Sequence, residues 1–140
     1  MSELRRCDGT LIAEDPNKSL RGLVEQNRAR LTYADLTYAN LSGANLAGAN
    51  LASANFRNAD LTYANLSGAN LADANFRNAY LTYANLSGAN LADANLMRAS
   101  FCGATLDGAR VAPDHIGGPG HILCALTDDE WAIIQKGRRS

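Results

Sequence analysis

Hydrophobic positions in the central part of the chain recur every five residues. Each unit reads Ala, then usually Asn or Asp, then Leu or Phe, then two variable residues. The unit centres run from Leu31 to Val111, are always Leu, Phe or Val, and number 17. A helix repeats its buried positions near 3.6 residues and a strand near 2. The period of five therefore predicts a chain that turns at regular corners.

A second, longer period is superimposed on the first. Residues 54–75 match residues 74–95 at 21 of 22 positions, and only Asp60 against Tyr80 differs. If four units make one coil, residues twenty apart stack on neighbouring coils at about 4.8 Å, the spacing of hydrogen-bonded strands. The pattern predicts a solenoid in which the shorter period sets the sides and the longer period sets the stacking.

The segment ANLSGANLADANF, at positions 64–76, resembles the pentapeptide repeat family. The resemblance covers residues 29–112 and is specific, because every unit in that range keeps the register. It implies an all-β solenoid, a right-handed quadrilateral β-helix of about four coils. Handedness and turn detail are implied by the resemblance alone.

Outward positions differ between the four predicted faces, and a function of the repeats must lie there. Exposed Tyr and Arg are residue types enriched at binding hot spots. The candidate protein-contact residues are therefore Tyr63, Tyr83, Tyr80, Arg57 and Arg77. The alternative is that stacked Tyr and Asn only stabilise neighbouring coils through side-chain ladders.

Glycine fills one outward column, at positions 48, 68, 88 and 108. It reflects either a turn conformation that favours glycine or a flat face that packs on a partner or on a second copy.

Residues 1–28 are predicted to cap the first coil. Asp8-Gly9 is a preferred two-residue turn, which indicates a small hairpin. Ser19 is a helix cap residue, and Leu20, Leu23 and Val24 follow it on one helical face.

Residues 113–140 are predicted to form a loop and a C-terminal cap. Thr127 and Glu130 form a capping box, which predicts a helix from Asp128 to Lys136. The alternative is a hairpin that pairs HILCAL with WAIIQK. Capping the last coil or dimerisation would use Trp131, Ile133 and Ile134.

Composition narrows the class of protein. The chain has 140 residues and a formal net charge of −1. A net charge this small produces no electrostatic field that would attract nucleic acid or an anionic membrane. The chain shows neither a membrane-length apolar run nor a secretory signal, so we expect a cytoplasmic protein. Three cysteines without framework spacing predict reduced thiols.

Catalytic chemistry is sparse in this sequence. The repeats contain no His, Lys or Glu, and His115, His121 and Cys124 do not fit a structural zinc spacing. We therefore predict a protein that is not an enzyme and that has no metal or other cofactor.

The leading prediction is a non-enzymatic protein-binding or scaffold module whose protein partner the sequence does not identify. Some members of the resembled family mimic DNA and bind DNA gyrase, which gives an alternative. Mimicry needs an acidic surface, whereas residues 29–112 carry five Asp against five Arg. A further alternative is a structural or consensus-engineered solenoid without a partner. Homodimerisation would use the C-terminal segment or the glycine face. The charge argues against direct nucleic-acid binding.

Overall fold

The computed structural model describes residues 2–111 of the chain. Strands β1 (Ser2–Arg5) and β2 (Leu11–Asp15) pair antiparallel as a hairpin, and helix α1 (Leu20–Gln26) follows. A 3₁₀ turn (Arg28–Arg30) leads into the repeats. Near their end, β3 (Asn90–Leu91) pairs in parallel with β4 (Arg110–Val111).

Several predictions concern residues that lie outside this described part. They are the helix from Asp128 to Lys136 with its hairpin alternative, the contacts of Trp131, Ile133 and Ile134, and the spacing of His115, His121 and Cys124.

Each five-residue unit forms one tight turn. The N–H of each unit's Ala donates to the carbonyl of the preceding unit centre, as Ala34 does to Leu31 at 3.1 Å. The residue before that Ala has a positive φ, for example 60° at Tyr33. A hydrogen-bonded turn with positive φ at its third position is typical of type II. The turn explains the period of five, because every unit turns the chain at a corner in the same way.

Stacking between turns follows the twenty-residue period. Isolated parallel bridges join residues twenty apart, from Asp35 and Asn55 to Asn85 and Thr105. Leu36 N–H donates to the Asn55 carbonyl at 2.8 Å, and Asn55 N–H donates to the Ala34 carbonyl at 2.9 Å. Because these bridges between coils are mostly one residue long, the repeats contain little regular sheet.

The interior is filled by the unit centres and the alanines. From Leu31 to Leu106 every Leu and Phe centre is buried, and so is every Ala that opens a unit from Ala34 to Ala104. Phe56 and Phe76 stack with ring centroids 4.7 Å apart and an interplanar angle of 5°. Within residues 2–111 no polar or charged residue is buried. The core is therefore one column of apolar side chains. The polar groups around it are backbone N–H and C=O groups that are hydrogen-bonded between coils.

The asparagines before the unit centres act locally, each within its own turn. Asn55 Oδ1 accepts from Arg57 N–H at 3.0 Å, and Asn75 Oδ1 accepts from Arg77 N–H at 3.0 Å. The same bond to the residue two positions on recurs in most units. Asn and Asp favour this side-chain turn. The Asn column thus supplies an acceptor to each turn and leaves the stacking to the backbone.

The lower edge of the first coil is covered by the N-terminal segment. The predicted Ser19 cap is present, since its Oγ accepts from Gly22 N–H at 3.1 Å. Arg21 donates to the carbonyls of Ser42 and Gly43, both at 3.0 Å. Glu25 accepts from Asn45 N–H at 2.8 Å. Uncovered strand edges invite pairing with other chains, so these contacts protect the start of the solenoid.

The cysteines differ from one another. Cys7 is a free, exposed thiol, whereas Cys102 is disulfide-bonded. The prediction of reduced thiols is therefore wrong for Cys102. Disulfides are rare in cytosolic proteins, and the cytoplasmic location stays a prediction.

Candidate functional site

The tyrosine column comprises Gly43, Tyr63, Tyr83 and Gly103, which occupy the same turn position in successive coils. The rings of Tyr63 and Tyr83 stack with centroids 5.1 Å apart and an interplanar angle of 13°. Their exposed fractions are 65% and 57%. The stack is open to solvent, so the ladder that the sequence offered as an alternative is present and still leaves contact area exposed.

Tyr83 rests on the backbone of the next coil. A Cβ built at Gly103 would lie 2.5 Å from the Tyr83 Cδ1 and Cε1 atoms. The ring therefore occupies the space that any other side chain at position 103 would need. The glycine is a packing partner of the tyrosine as well as a turn residue.

Tyr80 stands in the position that Asn or Asp occupies in most other units, and it is 54% exposed. In the preceding copy, Asp60 Oδ1 accepts from Thr62 N–H at 3.0 Å. A tyrosine ring cannot reproduce this local acceptor. Tyr80 therefore adds an exposed aromatic surface at the expense of a turn-stabilising hydrogen bond.

The arginine column comprises Thr37, Arg57, Arg77 and Met97. Arg57 and Arg77 are exposed, and Arg98, one residue beyond the column in the next coil, is exposed as well. Arg98 Nε donates to Asn78 Oδ1 at 3.2 Å. The ion pairs between described residues all lie in the N-terminal segment. The guanidinium groups of these three arginines therefore form no ion pair with another described residue.

Sequence reasoning missed three exposed residues of the same kinds. Tyr33 and Tyr38, with exposed fractions of 59% and 75%, share the turn position of the tyrosine column in the first coil. Arg98 occupies that turn position too. The period of five already assigned all three to outward positions, so counting every Tyr and Arg by slot would have found them.

The glycine column is as flat as its composition predicted. A Cβ at Gly48 or Gly68 would meet no atom within 4 Å, and one at Gly88 would reach only the Gly68 nitrogen at 4.0 Å. All the column's glycines have positive φ. The turn conformation favours glycine here, and the role of the glycine column as an interface stays a prediction.

The described residues offer little for catalysis. Among residues 2–111 no three His, Cys, Asp or Glu side chains come together as a metal site. An open cavity of about 420 Å³ beside Ser19, Leu20, Arg21, Asn40 and Ser42 holds no acid–base pair. Desolvation of the sulfur and the nearby Asp35 and Asp8 carboxylates raise the pKa of the Cys7 thiol. Cys7 is therefore a poor nucleophile at neutral pH.

Comparisons with known proteins agree with this geometry. Residues 27–62, 39–78, 59–96 and 79–111 match the pentapeptide repeat family, in eight copies. The chain belongs to the pentapeptide repeat family. No curated protein matches it. Membership implies a right-handed β-helix solenoid, and proteins of this family are in general structural or binding modules.

Solved structures of family members are similar to the chain. A pentapeptide repeat protein from Nostoc PCC 7120 is 34% identical, with 65% of this chain and 72% of that chain covered and a TM-score of 0.55. Rfr23 from the cyanobacterium Cyanothece 51142 is 42% identical with a TM-score of 0.47, and the match spans 54% of each chain. A protein of the Arabidopsis thaliana thylakoid lumen is 30% identical over 89% of this chain and 83% of that chain, with a TM-score of 0.48.

Helices within the described part of the chain are all too short and polar to cross a membrane.

Proposed function

We propose that this pentapeptide repeat protein is a non-enzymatic binding module that contacts a partner protein through Tyr63, Tyr83 and Tyr80 with Arg57 and Arg77 beside them. The proposal includes the four-sided form with about four coils, which the pairing of residues twenty apart supports.

The observation that carries the proposal is the exposed, preordered tyrosine stack. A ring held by stacking loses little conformational freedom when a partner binds, and tyrosine supplies apolar area with a polar tip. The stacked tyrosines also occupy a backbone conformation with φ near 60°, at 61° and 58°, which L residues rarely adopt. Glycine fills that position in the first and last members of the column, so the turn itself does not require tyrosine.

The test is affinity capture with the purified protein as bait, followed by mass spectrometry. The variant is Tyr63→Gly with Tyr83→Gly, because glycine already occupies this position at Gly43 and Gly103. The matched control is Tyr33→Gly with Tyr38→Gly, which removes two similarly exposed rings elsewhere. We expect a partner that is lost from the first variant and retained by the control. A partner held equally by both variants would overturn the assignment of the site.

The DNA-mimic alternative makes a different prediction. A gyrase modulator of that kind would inhibit supercoiling, and its surface would need a net negative charge. The exposed Arg57, Arg77 and Arg98 form no ion pair within residues 2–111, which disfavours a phosphate-like surface. We expect no inhibition of supercoiling at micromolar protein, and clear inhibition would favour the mimic.

A further inference from the structure

Arg57 and Arg77 occupy matched outward positions on adjacent coils. Tyr38 N–H donates to the Arg57 carbonyl at 2.9 Å, and Asn58 N–H donates to the Arg77 carbonyl at 3.0 Å. Residues at these matched ladder positions lie about 4.8 Å apart. Like charges directly opposite on neighbouring strands are destabilising. No ion pair within the described part of the chain offsets this repulsion.

The single difference between the two long copies increases the positive charge beside Arg77. Asp60 follows Arg57 by three residues, whereas Tyr80 follows Arg77 by three. The change removes a carboxylate and a turn hydrogen bond, and it adds an exposed ring. Loss of the turn hydrogen bond lowers stability, whereas loss of the carboxylate leaves this position without a negative charge beside Arg77, which favours contact with an anionic partner.

Carboxylates elsewhere on the repeats do not neutralise this surface. Asp35 lies in the coil below and accepts from the N–H and the hydroxyl of Thr37, the latter at 2.6 Å. Asp60 pairs with Tyr80 across the coils and is the carboxylate nearest this surface; its Oδ1 accepts from Thr62 N–H at 3.0 Å. Asp73 and Asp93 belong to a different outward column. The five Asp and five Arg of residues 29–112 therefore balance in number while three arginines gather on one surface.

We propose that Arg57, Arg77 and Arg98, together with Tyr80, bind an acidic peptide segment of the partner in an extended conformation that runs across the coils. This inference rests on the proposed function and specifies the partner's chemistry. Side chains on one face of an extended strand repeat at about 6.6 to 6.8 Å, which flexible arginines one coil apart can follow. Arginine binds carboxylates through paired, charge-assisted hydrogen bonds. A nucleic acid is disfavoured because its binding uses a broad positive field, which a neutral set of repeats lacks.

The experiment measures fluorescence anisotropy of a labelled peptide that alternates Glu and Ser over about twelve residues, a length that spans the coils. A Gln–Ser peptide and a single-stranded oligonucleotide are the comparison probes. The variant is Arg57→Gln with Arg77→Gln. The control is Arg28→Gln with Arg110→Gln, which makes the same change in net charge at other exposed arginines.

We expect the acidic peptide to bind the intact protein and the Gln–Ser peptide not to bind. The column variant should lose at least about tenfold in affinity, since hydrogen bonds to charged groups are strong, and the control should keep its affinity. Equal losses in both variants would mean attraction by net charge alone and would overturn the proposal. Tighter binding of the oligonucleotide, or no binding of the Glu–Ser peptide, would overturn it too. The tyrosine-stack capture experiment is independent of these outcomes.

Exchanging the residues at positions 60 and 80, where the two long copies differ, provides a second test. Stability and peptide binding should change in opposite directions. Tyr80→Asp restores the copy that contains Asp60, so we expect higher thermal stability and weaker binding of the acidic peptide. Asp60→Tyr should lower stability and strengthen binding. A purely structural role would move stability and binding together, so parallel changes would contradict the proposal.

Discussion

The third position of each turn has a positive φ, so most side chains there carry a conformational cost. Ten non-glycine residues and the glycines of the repeats share a positive φ there. For most L residues the left-handed conformation costs roughly 1–2 kcal/mol, and Asn and Asp tolerate it best. Tyr63 and Arg98 have neither exemption. Both residues therefore carry this conformational cost, because the turn itself favours glycine.

Gly103→Ala should destabilise the protein more than Gly48→Ala. The two glycines have φ of 69° and 67°, so the strain from a left-handed alanine is similar, about 1 kcal/mol. Only at position 103 would the new Cβ also meet the Tyr83 ring, at 2.5 Å. We expect an extra loss of about 1–3 kcal/mol from this overpacking, measured by urea unfolding.

A double-mutant cycle isolates the ring. In a Tyr83→Gly background, the costs of Gly103→Ala and Gly48→Ala should become equal within about 0.5 kcal/mol. If the difference persists without the ring, the stacking of Tyr83 on position 103 is not its cause.

At the scale of elements, the side chains of α1 offer donors and acceptors to the backbone groups of the coil edge beneath the helix. Arg21 presents donors to two carbonyls, and Glu25, one turn later, presents an acceptor to an N–H. Arg21 Nε and Glu25 Oε1 also lie 3.4 Å apart, so each holds the other in place. The helix buries Leu23 and Val24 in the core, and its polar side chains are hydrogen-bonded to the edge that it protects.

Replacing this pair should open the first coil before the rest. For Arg21→Met with Glu25→Met we expect a loss of about 1–3 kcal/mol, because hydrogen bonds to charged groups are removed from an edge. Hydrogen exchange should accelerate most at Asn45 N–H. The control is Lys18→Met, which breaks an exposed ion pair to Asp15 and should change stability by less than about 1 kcal/mol. Uniform acceleration across residues 45–105 would contradict local opening.

The hairpin turn should make stability depend on pH in the acid range. Asp8 accepts from Thr10 N–H at 2.9 Å and from its hydroxyl at 2.7 Å, which lowers the pKa of Asp8 below 3.8. Asn17 N–H lowers the pKa of Asp15 in the same way. A depressed carboxyl pKa stabilises the fold above the unfolded value and loses that contribution as pH falls through the folded value.

Thermal unfolding followed from about pH 5 down to about pH 2 measures this effect. Asp8→Asn should show a smaller fall in melting temperature than the unchanged protein, and the part due to Asp15 should remain. An unchanged slope would show that Asp8 is equally protonated in the folded and unfolded chains.

At the scale of the molecule, the solenoid is a sum of coils in contact with their neighbours. Hydrogen bonds between residues 19 or 21 apart repeat from coil to coil, and the long copies at 54–75 and 74–95 differ at one position. In such an array stability is a sum of unit and nearest-neighbour contributions. One whole period can therefore be removed without disturbing the register of what remains.

Deletion of residues 61–80 should leave a folded protein with reduced stability. The join brings Leu81 to the place of Leu61 and keeps every centre and alanine in phase. Deletion of residues 61–78, nearly as long, puts the later centres out of phase and should abolish cooperative unfolding. The measurement is circular dichroism with thermal unfolding, and equal behaviour of the two deletions would contradict a register set by the periods.

The sequence by itself determined the turns, their stacking partners and the apolar column. The five-residue and twenty-residue periods recur along the repeats, so every unit favours the same backbone conformation and buries the same positions. The hairpin and the Ser19 cap were predictable for the same reason, because turn and cap residues act over a few positions. The predicted two-residue Asp8-Gly9 turn was wrong, since Gly9 N–H donates to the Arg6 carbonyl and the central residues are Cys7 and Asp8.

Only the tertiary structure decided what the outward side chains do. Asn55 and its equivalents bond to their own turns, Tyr83 lies over Gly103, and Arg21 reaches the edge of the first coil. The disulfide of Cys102 was likewise invisible in the spacing of the cysteines. An exposed side chain has several rotamers and several neighbours within reach, and the choice among them depends on the coil above and below. A period fixes which residues are neighbours, whereas the contacts that they make follow from distances that only the folded chain supplies.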